Sequence, residues 1–215
     1  MSKQTKCSII DGIFYFVGAV LIAFGIVMII RSNLGTSPWD TLHVALAEVT
    51  PLTVGMAIIL VTFSLTFFII VVRKSHRYLF MVIPIVLVGL LIDFFDLVVF
   101  DGFVPEGYAQ LGTFFLGLFT VPFGAAMHIV SRFPAGVFDE FMLVLMKLFK
   151  TRNMILVRIL MEATPVLIGV LLTGYFKGNI GSLYFGTVIF VVLAGPLLRM
   201  YIKLIRGIET WKSIY

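Results

Sequence analysis

A handful of ionisable side chains stand among residues that are otherwise apolar, and any chemistry this chain performs has to reside in them. Arg158 and Glu162 are spaced i and i+4, which puts them on one helix face, close enough to pair. Glu162 falls about 13 Å into its apolar stretch at 1.5 Å per residue, too deep for its short stem to reach water. Pro165 follows and leaves the Met161 carbonyl without its usual helical donor. Two roles fit the pair: a structural ion pair, or a proton or cation relay centred on Glu162, the leading candidate carboxylate. Asp40 and Asp139 each stand near the start of a short helix, where a carboxylate either caps orphan N–H groups or forms a gate or ion site beside a central cavity. Asp93 lies one turn after Gly89, so a small residue and an acid share a face suited to lining a pathway, whereas Asp96 reads as a surface residue. His43 and His128 are each isolated, and a lone histidine is more often a satisfied polar residue than a proton carrier. There is no His-Glu-x-x-His, no nucleophile elbow and no Ser/His/Asp pattern, and Cys7 is the one cysteine. The expectation is therefore neither an enzyme nor a metal or cofactor protein.

The elements that would position these residues are membrane spans. Of the 215 residues 60% are hydrophobic and 13% charged, and the mean hydropathy is +1.12. A soluble domain carries about a quarter charged residues, so the bilayer is the expected solvent and partner. The net charge of +5 comes from basic residues at the ends of apolar runs, which argues for topogenic charge and against nucleic-acid binding. Six runs reach the roughly 20 residues a crossing needs: Ile9 to Ile30, Leu52 to Val72, Leu79 to Phe100, Tyr108 to Val130, Met154 to Phe176 and Ile180 to Ile202. The first is too long for a secretory signal core and is expected to be retained. Lysine and arginine cluster before the first run, between the second and third, between the fourth and fifth, and after the sixth. Both termini are thus expected in the cytoplasm of a multi-pass protein.

Two connections are too long and too apolar to be simple loops. In the first, Ser37, Pro38 and Asp40 have the order of a helix start: a serine cap, a proline at the first position and an acid in the first turn. Trp39 beside them would pack a gate or anchor the helix at an interface. In the second, Pro134 and Gly136 break the chain before another short apolar helix with acids in its first turn. The connections align without a gap at an offset of 99 residues, which pairs Gly18 with Gly117, Gly25 with Gly124, and Asp40 with Asp139. The chain therefore reads as one all-α membrane domain of two three-span repeats, about 9–100 and about 108–203. An odd number of crossings per half inverts the second, the plan of many secondary transporters. The glycines, seven apart, suggest that the first and fourth spans pack against each other. Whether the short helices enter the membrane or lie along its surface stays open.

The segment Leu34-Gly-Thr-Ser-Pro-Trp-Asp-Thr-Leu42 resembles the Pro-Trp-Asp signature of the bacterial YczE/YyaS/YitT family of integral membrane proteins. Pro134-Ala-Gly-Val-Phe-Asp139 is similar to that family's second motif, and Gly186-Thr187 with Gly195-Pro196 to its last-helix pattern. Phe80-Met81 departs from it, standing where a Gly-Thr pair is expected nine residues before Gly89. The resemblance implies a bacterial inner-membrane protein, often described as a transporter without an assigned substrate. The leading reading is an ion-coupled carrier of a small solute, with Glu162, Asp40, Asp139 and Asp93 as its acids. The alternative is a membrane protein that docks or regulates a partner through its basic face. A homodimer is compatible with a chain of 24.0 kDa.

Overall fold

The computed structural model describes residues 9–131 and 136–212; the side chains of residues 10, 77, 139 and 208–212 lie outside that description. Among the described residues the protein is all-helical: α1 (Ile9–Ser32), α2 (Pro38–Val49), α3 (Val54–Arg73), α4 (Val82–Phe94), α5 (Tyr108–Val130), α6 (Val137–Leu148), α7 (Met154–Lys177) and α8 (Phe185–Lys212). Six stretches are long and apolar enough to cross a bilayer, and the third joins a 3-10 turn (His76–Met81), α4 and a π turn (Phe95–Val99) into one rod. Large apolar side chains such as Phe67, Ile83, Val98 and Leu171 are exposed, as expected of a multi-pass protein whose outer surface meets lipid rather than water.

α1 and α5 form the central antiparallel pair. Gly18 faces Gly124, and Gly25 faces Gly117. A Cβ on Gly18 would stand 2.8 Å from the Gly124 carbonyl oxygen, and one on Gly117 2.5 Å from that of Gly25. Backbones this close gain dispersion contacts that side chains would forbid, which is how helices associate in lipid without a hydrophobic driving force. α4 packs on α1, α8 on α5, and α3 on α4. Arg31 at the end of α1 reaches Asp96, and Thr53 before α3 reaches Asp93, so three helix termini meet at one end of the bundle.

The helix starts follow their chemistry. Ser37 caps α2 by accepting from the Asp40 amide, with Pro38 at the first position; Thr53 caps α3 and Asn153 caps α7 in the same way. The last helix begins later than expected, at Phe185 instead of Ile180. Gly178 (φ +70°) and Gly181 (φ +62°) hold left-handed conformations that end α7 and delay α8.

The two short helices do not lie flat across the ends of the bundle. α2 buries Pro38 and the run from Asp40 to Ala45 and lies beside α7 and α3, with the Thr41 carbonyl against Gly169. α6 packs on α3 and α7. Their first turns touch: the rings of Trp39 and Phe138 stack at a tilt with centroids 4.6 Å apart. Both short helices therefore pack along the spans, and their starts meet.

Candidate functional site: the start of α2 and the α7–α8 groove

The break between α1 and α2 is held by the start of α8. Gly35, at φ +124°, turns the chain so closely onto Thr187 that a Cβ would stand 2.6 Å from its amide nitrogen. The Gly186 amide donates to the Leu34 carbonyl at 2.8 Å, and the Thr36 amide to Thr187 Oγ1 at 3.2 Å. Thr36 Oγ1 lies 3.1 Å from the equally buried Thr41 Oγ1 and 3.0 Å from the partly exposed Ser182 Oγ, so a chain of hydroxyls lines the break. These bonds satisfy a non-helical backbone that lipid could not.

Asp40 follows, buried at 6% exposure. Its Oδ2 accepts from Ser37 Oγ at 2.5 Å, and its Oδ1 lies 3.3 Å from His43 Nδ1. His43 is only 2% exposed, and among the described residues its Nε2 has no hydrogen-bond partner. A buried nitrogen left in that condition costs about 1–3 kcal/mol, whichever tautomer it holds. Sequence reasoning passed over this residue as a lone histidine, although its i, i+3 spacing from Asp40 predicts contact.

Glu162 forms the expected pair with Arg158, Nε to Oε1 at 3.0 Å. It is not sealed in the interior, however: the side chains are 31% and 67% exposed respectively. The rotation of α7 turns Glu162 into a groove of roughly 540 Å³ between α7 and α8. Apart from Glu162 and Thr187 its lining side chains are apolar, and Pro38 of α2 closes one part of it. Pro38 and Glu162, from opposite halves of the chain, thus border one space.

The chain matches a family of unknown function, DUF6198, over residues 9–203. It belongs to that family. It is 28% identical over 194 residues to the uncharacterized protein YyaS of Bacillus subtilis (strain 168), covering 90% of this chain and 92% of that protein. It is 30% identical over 191 residues to the uncharacterized membrane protein YczE of the same organism, covering 86% and 82%. The resemblance to YyaS and YczE read from the Pro38-Trp39-Asp40 segment therefore holds over nearly the whole chain. No solved structure matches it.

In this family member the other candidate acids lie apart from the groove. Asp93 sits at the α3–α4 seam, where Oδ2 accepts from Thr53 Oγ1 at 2.6 Å and Oδ1 from the Gly55 amide at 2.8 Å. Asp96, expected at the surface, is instead held by Arg31, with Nε to Oδ1 at 2.6 Å and Nη2 to its own carbonyl at 2.6 Å. Asp139 lies in the first turn of α6, with its side chain outside the described residues, as is all of Pro134; Gly136 precedes that helix. The neighbouring Glu140, which the spacing did not single out, pairs with Arg73 at 2.8 Å and accepts from the Tyr78 hydroxyl at 3.1 Å. His128 stacks on Tyr15 at 4.2 Å, with Nε2 2.8 Å from the Tyr15 carbonyl. Among the described residues no three His, Cys, Asp or Glu side chains converge as a metal site.

Proposed function

We propose that this protein is a secondary carrier of a small solute in the bacterial cytoplasmic membrane, built from two inverted three-span halves that work by alternating access. The observation that carries the reading is the meeting of α2 and α6 through Trp39 and Phe138. These two residues stand 99 apart, the offset of the repeat. The central glycines obey the same relation: Gly18 faces the counterpart of Gly25, and Gly25 the counterpart of Gly18. Such an exchange is what a twofold axis between α1 and α5 requires. The neighbours agree, with α2 beside α7 and α6 beside α3. Basic residues at the end of α3 and after α6 fit cytoplasmic termini.

In this reading the short helices are the gates. Asp40, in contact with His43, is the gate acid at the start of α2, Asp139 is the counterpart gate acid, and Glu162 with Arg158 faces the solute. Asp93 ties α3 to α4. The alternative, a docking protein, draws on the exposed Lys147 in the last turn of α6 and the exposed Lys150 and Arg152 after it.

Alternating access is testable before any solute is known. With Cys7 replaced by serine, a single cysteine at Trp39 is probed with a membrane-impermeant thiol reagent, in right-side-out and in inverted vesicles. A carrier exposes the position to both faces in turn. Protection from both faces, in protein that labels fully once denatured, sinks the carrier reading and favours docking.

A further inference from the structure

The groove between α7 and α8 has a composition that selects a chemical class of ligand. Its walls are Ile159, Val166 and Leu167 on one side and Val188, Val191 and Val192 on the other. Most of these are exposed, so the mouth is apolar and opens outward from the bundle where the spans meet lipid. Roughly 540 Å³ is the volume of a site for a compact organic molecule. One ionisable group lines it. Glu162 Oε1 accepts from Arg158 Nε, whereas no described residue pairs with Oε2. Thr187, the other polar lining residue, is committed to the Thr36 amide.

From this we infer that the α7–α8 groove binds a lipophilic organic monocation, its apolar body between the valines of α8 and the aliphatic side chains of α7, its charge against Glu162. A lipid acyl chain would suit the walls but would leave the carboxylate half-compensated in hydrocarbon, where an unpaired charge is costly. An anion would meet Glu162 directly. Arg158 lies one turn away, outside the lining, and is 67% exposed, so it is free to release the carboxylate when a cation arrives. Pro38 borders the same space, so a bound ligand would touch the first residue of α2. The inference deepens the carrier reading, on which the transport step rests, but binding itself does not depend on it.

Two ions of nearly identical shape and opposite charge serve as probes, tetraphenylphosphonium and tetraphenylborate. Binding is measured by equilibrium dialysis on purified protein in neutral detergent. Tetraphenylphosphonium is expected to bind wild type saturably at one site, and tetraphenylborate at least tenfold more weakly. Glu162→Gln should weaken the cation tenfold or more. Arg158→Gln should tighten it two- to fivefold, because the competing guanidinium is gone. Val188→Trp, at an exposed position, should block the groove, with wild-type helicity and a monodisperse elution confirming the fold. Equal binding of the two ions, or retention of affinity in both Glu162→Gln and Val188→Trp, overturns the assignment. Uptake of methyltriphenylphosphonium into proteoliposomes under a pH gradient, above protein-free liposomes, then tests transport. Glu162-dependent binding without uptake leaves the ligand class standing and overturns the carrier reading alone.

Discussion

Removing the Asp93 carboxylate should loosen the α3–α4 seam without touching the groove. The carboxylate receives two hydrogen bonds, at 2.6 Å from Thr53 Oγ1 and at 2.8 Å from the Gly55 amide. The second of these donors is an orphan N–H of the first turn of α3, whose positive dipole end also favours the charge. The close approach of Gly55 to Gly89 holds the acid in place; a Cβ on Gly89 would stand 2.9 Å from the Gly55 carbonyl oxygen. Bonds to a charged group contribute about 1.5–3 kcal/mol each, and partial exposure argues for the lower end. Asp93→Ala should therefore cost about 3 kcal/mol. Asp93→Asn keeps one acceptor and should cost about 1–1.5 kcal/mol on the same scale. Thr53→Ala loses both its bond to Asp93 and its own cap on the Met56 amide, about 2 kcal/mol together. Because the Thr53–Asp93 bond is shared, the double variant should fall short of the sum by about 1–2 kcal/mol. Unfolding by sodium dodecyl sulfate in mixed micelles, followed by circular dichroism, measures all four species. An Asp93→Ala protein within about 0.5 kcal/mol of wild type, a change typical of a surface site, would refute this account. Loss of ligand binding from that equally stable protein would return Asp93 to the solute pathway.

Gly124→Val should destabilise the protein by about 2–3 kcal/mol in the same titration, since the new Cβ would stand 2.7 Å from the Gly18 carbonyl oxygen and 2.9 Å from the Ile22 amide nitrogen. Gly12→Ala is the control, with nothing within 4 Å of the added carbon, and should be neutral or stabilising. With Cys7 replaced by serine, paired cysteines at Trp39 and Phe138 should cross-link within one chain under a short bifunctional thiol reagent; two unlinked thiols would place the short helices on opposite surfaces. His43→Leu should leave stability within about 1 kcal/mol of wild type, because the lost contact to Asp40 is offset by removal of the unpartnered Nε2. A loss beyond about 2 kcal/mol would assign His43 to the core instead.

Features set by local chain chemistry were legible. Six spans follow from length and hydropathy, and the cap on α2 follows from the order serine, proline, acid. The Arg158–Glu162 pair is given by its spacing alone. What the sequence could not convey is which way a helix is rotated. Glu162 falls within α7 as its spacing implied, yet whether it met core or groove depended on how far α8 stands from α7. The pairs Arg31–Asp96 and Arg73–Glu140 join residues 65 and 67 apart, through helix ends that only the packed bundle brings together. Asp96 looked solvated for that reason. Gly18, Gly25, Gly117 and Gly124 announced a close contact, but not that each would meet the other's counterpart; that register is a property of the assembled pair. The start of α8 was misplaced because Gly181 is apolar by composition, while its positive φ breaks the helix.

The closed and open seams follow from the side chains that face them. At α3–α4 the facing positions include Gly55 and Gly89, so the backbones touch and Asp93 can reach across to the other helix. At α7–α8 the α8 wall carries Val188, Val191 and Val192, and among the described residues no acid bridges to the partner. β-branched side chains are stiff, so these valines give the groove a wall of fixed shape. If the halves are related as proposed, one seam has been used to hold the molecule together while its counterpart has been left free to take a ligand. The same division explains why one acid is fully engaged at the start of a helix while another, Glu162, keeps an oxygen in reserve. On the carrier reading it also sets where selection for a different solute would act. The valines of α8 and the single carboxylate of α7 can change without disturbing the glycine contacts on which the bundle depends.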